Sequence, residues 1–119
     1  MTIREVAAGL EAVFLTPEPT ADQEREKPIN SGYACDLLSL VMAGVQRDEA
    51  WFTILNSMNV VAVAVLTECA LVVLTEGVTM DPDVASRAVE KEVTIVSTPL
   101  STYAACVRLN ALLTAASRA

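Results

Sequence analysis

The sequence predicts a single α/β domain in which a mainly parallel sheet lies between helix layers. Three observations carry that prediction. Apolar runs and amphipathic stretches alternate as strand, helix, strand, helix, strand, helix with short joints, the order of parallel strands linked by helical crossovers. The strand candidates are continuous apolar runs without alternation, as expected for strands covered on both faces. The length, 119 residues, is that of one domain.

The N-terminal stretch TIREVAAGLEAVF reads as a helix feeding a short strand at AVFL. Residues 16–32, TPEPTADQEREKPINSG, are charged and rich in Pro, and read as a solvated, flexible loop. YACDLLSLVMAGV follows as a strand edge that turns at Asp36 into a helix. AWFTIL, residues 50–55, reads as the next strand.

Residues 59–77, NVVAVAVLTECALVVLTEG, are long and apolar enough to suggest a membrane span. Glu68 would then sit near the bilayer centre at a cost of about 2.5–3.5 kcal/mol, and no Lys or Arg flanks the segment closely. A break at TEC resolves the difficulty. NVVAVAVLTE becomes a buried helix opened by an Asn cap, and ALVVL a buried strand ended by TEG. Beyond it, Asp81 caps and Pro82 starts a helix over DPDVASRAVEKE, VTIVST (93–98) is a strand, and a closing helix begins near Pro99.

Composition narrows the function classes. The apolar fraction is 53% and the mean hydropathy +0.45, so a monomer would cover its apolar material poorly and a homodimer is expected. A formal net charge of −7 speaks against nucleic acid or anionic membrane as the partner, and the eight Lys and Arg residues form no cluster. Cys35, Cys69 and Cys106 are widely spaced in apolar company, which suits core thiols in a reducing cytoplasm rather than a disulfide framework. The N-terminus carries Arg4, Glu5 and Glu11, so it lacks the apolar core of a signal peptide.

Catalytic motifs are missing from the sequence. It contains no histidine, which excludes a histidine-assisted nucleophile. There is no GxxxxGK[ST] loop, no GxGxxG, no GxSxG elbow, and no closely spaced ligand set for a metal. We therefore expect no enzyme activity, no cofactor and no metal. What remains is polar chemistry at the C-terminal ends of the predicted strands: Asn56, Ser57 and Asn59; Thr75, Glu76 and Gly77; Ser97, Thr98, Ser101 and Thr102. In an open parallel sheet these joints gather along one edge, where ligands bind. Helices starting near Asn59 and Pro99 would aim free N–H groups there, suiting an anionic, phosphate-bearing ligand. The same Ser, Thr and Asn residues are also ordinary caps and turn formers. Trp51 and Tyr33 read as core or interface aromatics, and Met42, Met58 and Met80 as gap fillers or interface residues rather than a cofactor box.

The blocks GYACDLLSLVM, AWFTILNSMNVVAVAVLTECALVVLTEG and VSTPLSTY, in this order, resemble the DRTGG domain family over roughly residues 30–113, its short stand-alone bacterial members most of all. The family is similar to the N-terminal domain of HPr kinase/phosphorylase, which implies a three-layer α/β/α fold without a catalytic P-loop. Elsewhere it accompanies CBS domains in pyrophosphatases or precedes phosphotransacetylase domains, which implies a regulatory or dimerising module. The family's Asp-Arg pair falls on Asn56 and Ser57, which match neither residue, so its anion clamp is absent. Its Thr-Gly-Gly falls on Thr75, Glu76 and Gly77, where Glu76 adds negative charge. The expected function is a non-catalytic, dimeric regulatory or sensory module binding a small ligand or a partner enzyme at the strand-end rim. The alternatives are a purely structural dimerisation or scaffold subunit, and the serine kinase or phosphotransfer role that the labels of some family members imply.

Overall fold

The computed structural model describes residues 1–118. Five strands, β1 (Val13–Phe14), β2 (Ser31–Ala34), β3 (Glu49–Thr53), β4 (Leu71–Leu74) and β5 (Ile95–Ser97), form one sheet in the order β1-β5-β4-β3-β2. The four strands β2 to β5 are parallel, and β1 closes one edge antiparallel to β5. Six helices complete the chain: α1 (Ile3–Gly9), α2 (Ala21–Glu26), α3 (Leu38–Gly44), α4 (Met58–Thr67), α5 (Pro82–Glu90) and α6 (Thr102–Arg118).

Each inner strand sends alternate side chains into two different cores, which is why the runs are apolar without alternation. Ala50, Phe52, Leu71, Val73 and Val96 pack against Ile3, Val6 and Leu10 of the α1 segment and Ala105 and Leu109 of α6. Trp51, Val72, Leu74 and Ile95 point to the opposite face, against Val41 of α3, Val60, Val61 and Ala64 of α4, and Val84 and Ala88 of α5. The result is three layers, α1 and α6 on one side, the sheet, and α3, α4 and α5 on the other. Trp51 is fully buried and its indole N–H donates to the Cys35 carbonyl at 3.0 Å, so it is a core residue, as expected.

The span question resolves as a helix and a strand. α4 ends at Thr67, Glu68 takes a left-handed C-cap conformation (φ 56°), and β4 begins at Leu71. No helix among the described residues is long and apolar enough to cross a membrane.

Several local expectations need correction. The 16–32 stretch is not wholly loop. Thr20 and Gln23 form a reciprocal capping box that starts α2, Ile29 is fully buried, and β2 begins at Ser31. α4 begins before Asn59, with Ser57 at its N-cap and no side-chain capping bond, so the Asn cap is not formed. Nor is α4 buried all round, since Met58, Val65 and Leu66 are exposed. Asp81 is at the N-cap of α5 without a side-chain bond to it. α6 begins at Thr102 rather than near Pro99.

Candidate functional site

The parallel strands bring their C-terminal ends to one edge, and with them the three polar joints that the sequence singles out. The joint after β4 is the tightest. Glu76 (φ 59°) and Gly77 (φ 71°) are both left-handed, and the turn closes with the Val78 N–H donating to the Thr75 carbonyl at 3.1 Å. Glycine takes such a conformation freely, whereas glutamate adopts it at a cost of about 1–2 kcal/mol. The surroundings hold Glu76 there: its N–H donates to the Leu100 carbonyl (2.8 Å), and the Gly77 N–H donates to the Thr98 carbonyl (3.0 Å).

This turn is stitched to the start of α6. The Thr75 and Thr102 hydroxyls are 2.6 Å apart, a hydrogen bond in which either can donate. The Thr102 N–H donates to Glu76 Oε2 at 2.9 Å. The Ala104 N–H donates to Ser101 Oγ at 3.1 Å, the ordinary N-cap bond. Two of the helix-start N–H groups at α6, those of Thr102 and Ala104, expected to be free for an anion, are thus engaged by the protein's own oxygens.

Ser97 and Thr98 turn inward. The Ser97 hydroxyl donates to the Val78 carbonyl at 2.6 Å. The fully buried Thr98 donates to the Leu10 carbonyl at 2.6 Å and accepts from the Leu100 N–H at 3.2 Å, fastening α1 to the end of β5. Asn56 Nδ2 donates to the Thr79 carbonyl at 2.7 Å, joining the loop after β3 to the one after β4. Ser57 and Asn59 are exposed at the opening of α4.

The ten candidate residues therefore divide. Ser97, Thr98 and Thr75 are buried and structural, Asn56, Ser101 and Thr102 hold loops and helix starts, and Ser57, Asn59, Glu76 and Gly77 face solvent. One rim residue was missing from the candidates. Asp36 Oδ1 accepts from the Thr53 hydroxyl (2.8 Å) and from the Ile54 N–H (3.0 Å), tying the ends of β2 and β3 together. An acid directly after a strand-like run was the available signal.

The rim carries no cation from the adjoining loops: residues 35–38, 54–58, 75–82 and 98–103 contain no Lys or Arg, but do contain Asp36, Glu76 and Asp81. Among the described residues there is no cluster of potential metal ligands. The thiols are free, and burial raises the pKa of Cys69 above its usual 9.0, which keeps it a protonated core residue. A cavity of about 720 Å³ lies away from the turn at Thr75–Val78; it runs beside β2 under α6, lined by Gly32, Phe52, Cys106, Leu109 and Leu113 among others.

The model of the DRTGG domain matches residues 39–112, more than half of the chain. No curated protein matches the sequence. Among solved structures, the chain is similar in fold to the crystal structure of the CBS and DRTGG domains of the regulatory region of Clostridium perfringens pyrophosphatase, complexed with activator, diadenosine tetraphosphate. The TM-score is 0.63 at 12% identity, covering 87% of this chain and 44% of that one. The present chain thus spans less than half of that neighbour's length.

Proposed function

This chain belongs to the DRTGG domain family, and on that premise we propose that it is a non-catalytic, cytoplasmic regulatory module that meets a small ligand or a partner enzyme at the C-terminal rim of its sheet. The observation that carries the reading is that the matched block, residues 39–112, contains the three joints after β3, β4 and β5, which the fold gathers on one edge. A regulatory region of similar fold is known in complex with a nucleotide activator, which motivates nucleotides as the first ligands to try here. Of the ten candidate residues, Asn56, Ser57, Asn59, Glu76, Gly77 and Ser101 are exposed at this edge. They offer hydrogen bonds without a histidine, a thiolate or a metal set, which favours recognition over chemistry.

Thermal-shift titration of the whole chain tests this, against nucleotides including diadenosine tetraphosphate, nucleotide second messengers and phosphorylated metabolites. A ligand present at one hundred times its dissociation constant stabilises by about 2.7 kcal/mol, a midpoint rise of several degrees for a domain of this size. A saturable rise is the expected result. A flat response across the panel would remove the small-ligand reading and leave partner enzymes.

A second reading, a dimerising scaffold, is favoured by the surface of the α3–α4–α5 layer. Leu40, Met42, Val65 and Leu66 are 53%, 52%, 40% and 69% exposed there, an unusual density of large apolar side chains on water. We expect sedimentation equilibrium to find a homodimer that Leu66→Glu converts to a folded monomer. A wild-type monomer at every concentration would sink the scaffold reading and the dimer with it.

A further inference from the structure

We propose that the free edge of β2, with the groove it shares with α6, docks an extended peptide segment of a partner protein, one that is uncharged over about four residues and flanked by Lys or Arg. The inference goes beyond the rim reading, and either can fail without the other.

The sheet leaves one edge open. β1 covers β5 on one side, whereas β2 pairs with β3 alone among the described residues. The Cys35 N–H donates to the Phe52 carbonyl at 3.2 Å, so by the alternation of a strand the N–H and C=O of Gly32 and Ala34 face away from β3. Both residues are exposed. Edge strands are commonly blunted by Lys, Pro or an inward charge, yet residues 29–35, INSGYAC, carry none of these. The strand is short, but chemically unguarded.

The groove lies along the same strand. Gly32 faces α6, since a Cβ placed on it would come within 2.9 Å of Phe52 and 3.1 Å of Leu109. Ala34, two residues on, lines the same cavity. With only these two small residues on its α6 face, β2 leaves about 720 Å³ open against a wall of Cys106, Leu109 and Leu113. The lip carries Asn110, Thr114 and Ser117, and no lining residue is Asp, Glu, Lys or Arg. A strand added here would hydrogen-bond to Gly32 and Ala34 and turn every second side chain into the groove. Small apolar or neutral side chains fit that space, while a charge would find no partner in it.

The two ends of the edge select the partner by charge. Asn30 Nδ2 donates to Asp48 Oδ2 at 3.3 Å, which sets one acid at the start of the strand, and Asp36 follows it at the other end. Asp36 is exposed and uses Oδ1 for the Thr53 hydroxyl and the Ile54 N–H. The neighbouring cations are engaged elsewhere: Arg47 pairs with Glu68, and the Met1 ammonium donates to the Ile29 carbonyl at 2.9 Å. A second copy pairing antiparallel would set its Asp36 against the Asp48 end, twice over, between chains of net charge −7. A foreign strand with Lys or Arg on either side of a neutral centre meets the opposite sign at both ends.

The test pans a displayed library of random heptapeptides against the whole chain, with an unrelated acidic protein as counter-selection. Enriched peptides are then measured as capped synthetic probes by fluorescence anisotropy. Their sequences should place Lys or Arg on either side of an uncharged centre. Ala34→Pro removes an outward N–H at an exposed edge position, and Thr114→Glu puts a charge on the lip of the groove. Each should weaken binding about tenfold or more, and Asp36→Asn about two- to fivefold. Circular dichroism checks folding, and if Ala34→Pro does not fold, Thr114→Glu, exposed on a helix, decides. The inference is overturned if no sequence is enriched over the control, or if the enriched peptides are acidic or bind both variants as tightly as wild type. It is overturned as well if sedimentation shows both variants breaking a wild-type dimer, which would give the edge to a second copy. A peptide hit with a silent thermal-shift panel keeps this inference and discards the small-ligand reading, and a ligand hit without peptides does the reverse.

Discussion

Thr98 shows how a single hydroxyl can be structural at a place where sequence reading expects a ligand. It follows β5 at the rim, yet it is fully buried and serves two backbone groups, the Leu10 carbonyl at 2.6 Å and the Leu100 N–H at 3.2 Å. Valine has nearly the same shape but would strand both partners in a dry site. We expect Thr98→Val to destabilise by about 2–3 kcal/mol in urea denaturation, since an unsatisfied buried group costs roughly 1–3 kcal/mol. A loss below about half a kcal/mol would mean that water reaches Leu10. The sequence could not separate Thr98 from Thr102 here, because both are threonines in one polar joint. What distinguishes them is the partner each meets from a distant segment, α1 for the first and the Thr75 turn for the second.

At the scale of elements, α2 is the least anchored. It has no buried residue, and it is held at its start by the Thr20–Gln23 capping box and from outside by Arg4, which pairs with Glu24 and Glu18. The helix is short, so its cap should decide its population. Thr20→Ala is expected to cost about 1 kcal/mol locally and to speed amide exchange over residues 21–26, leaving β3 and β4 unchanged. Equal protection in α2 and β4 would refute this. The element also shows why a polar, Pro-rich segment was read as loop. Its helical signal is one cap and six residues, too short for a hydrophobic period to show. α4 erred in the other direction: its run of Val and Ala implies burial on all sides, but the helix borders solvent on the face of Met58, Val65 and Leu66.

Over the whole molecule, stability should depend on pH at both extremes, for reasons of opposite sign. Hydrogen bonds from the Thr2 backbone and hydroxyl lower the pKa of Glu5 from 4.5. The unfolded chain then binds more protons near that pH, so this contribution, complete above about 4.5, is lost as the solution is acidified. Cys69 acts in reverse. Burial raises its pKa above 9.0, so the folded thiol keeps a proton that the unfolded one releases, and stability falls as pH rises past 9.0. Urea midpoints measured from neutral to alkaline pH should decline, and Cys69→Ala, though less stable at neutral pH, should decline less steeply. Parallel slopes would show that another group governs the alkaline limb.

The sequence by itself determined the order of elements other than α2, the two-sided sheet and the family, because these rest on local signals: continuous apolar strands, Pro82 at a helix start, Gly77 after a strand, and blocks in fixed order. It also located the rim, since every joint after a parallel strand must fall on the same edge. Only the tertiary structure decided what those rim residues are free to do. Thr75 meets Thr102, Glu76 caps α6, Thr98 reaches Leu10 and Asp36 holds Thr53, across separations of 27, 26, 88 and 17 residues. Hydrogen bonding at such distances follows from how the crossovers stack the loops, and no local pattern of residues encodes it.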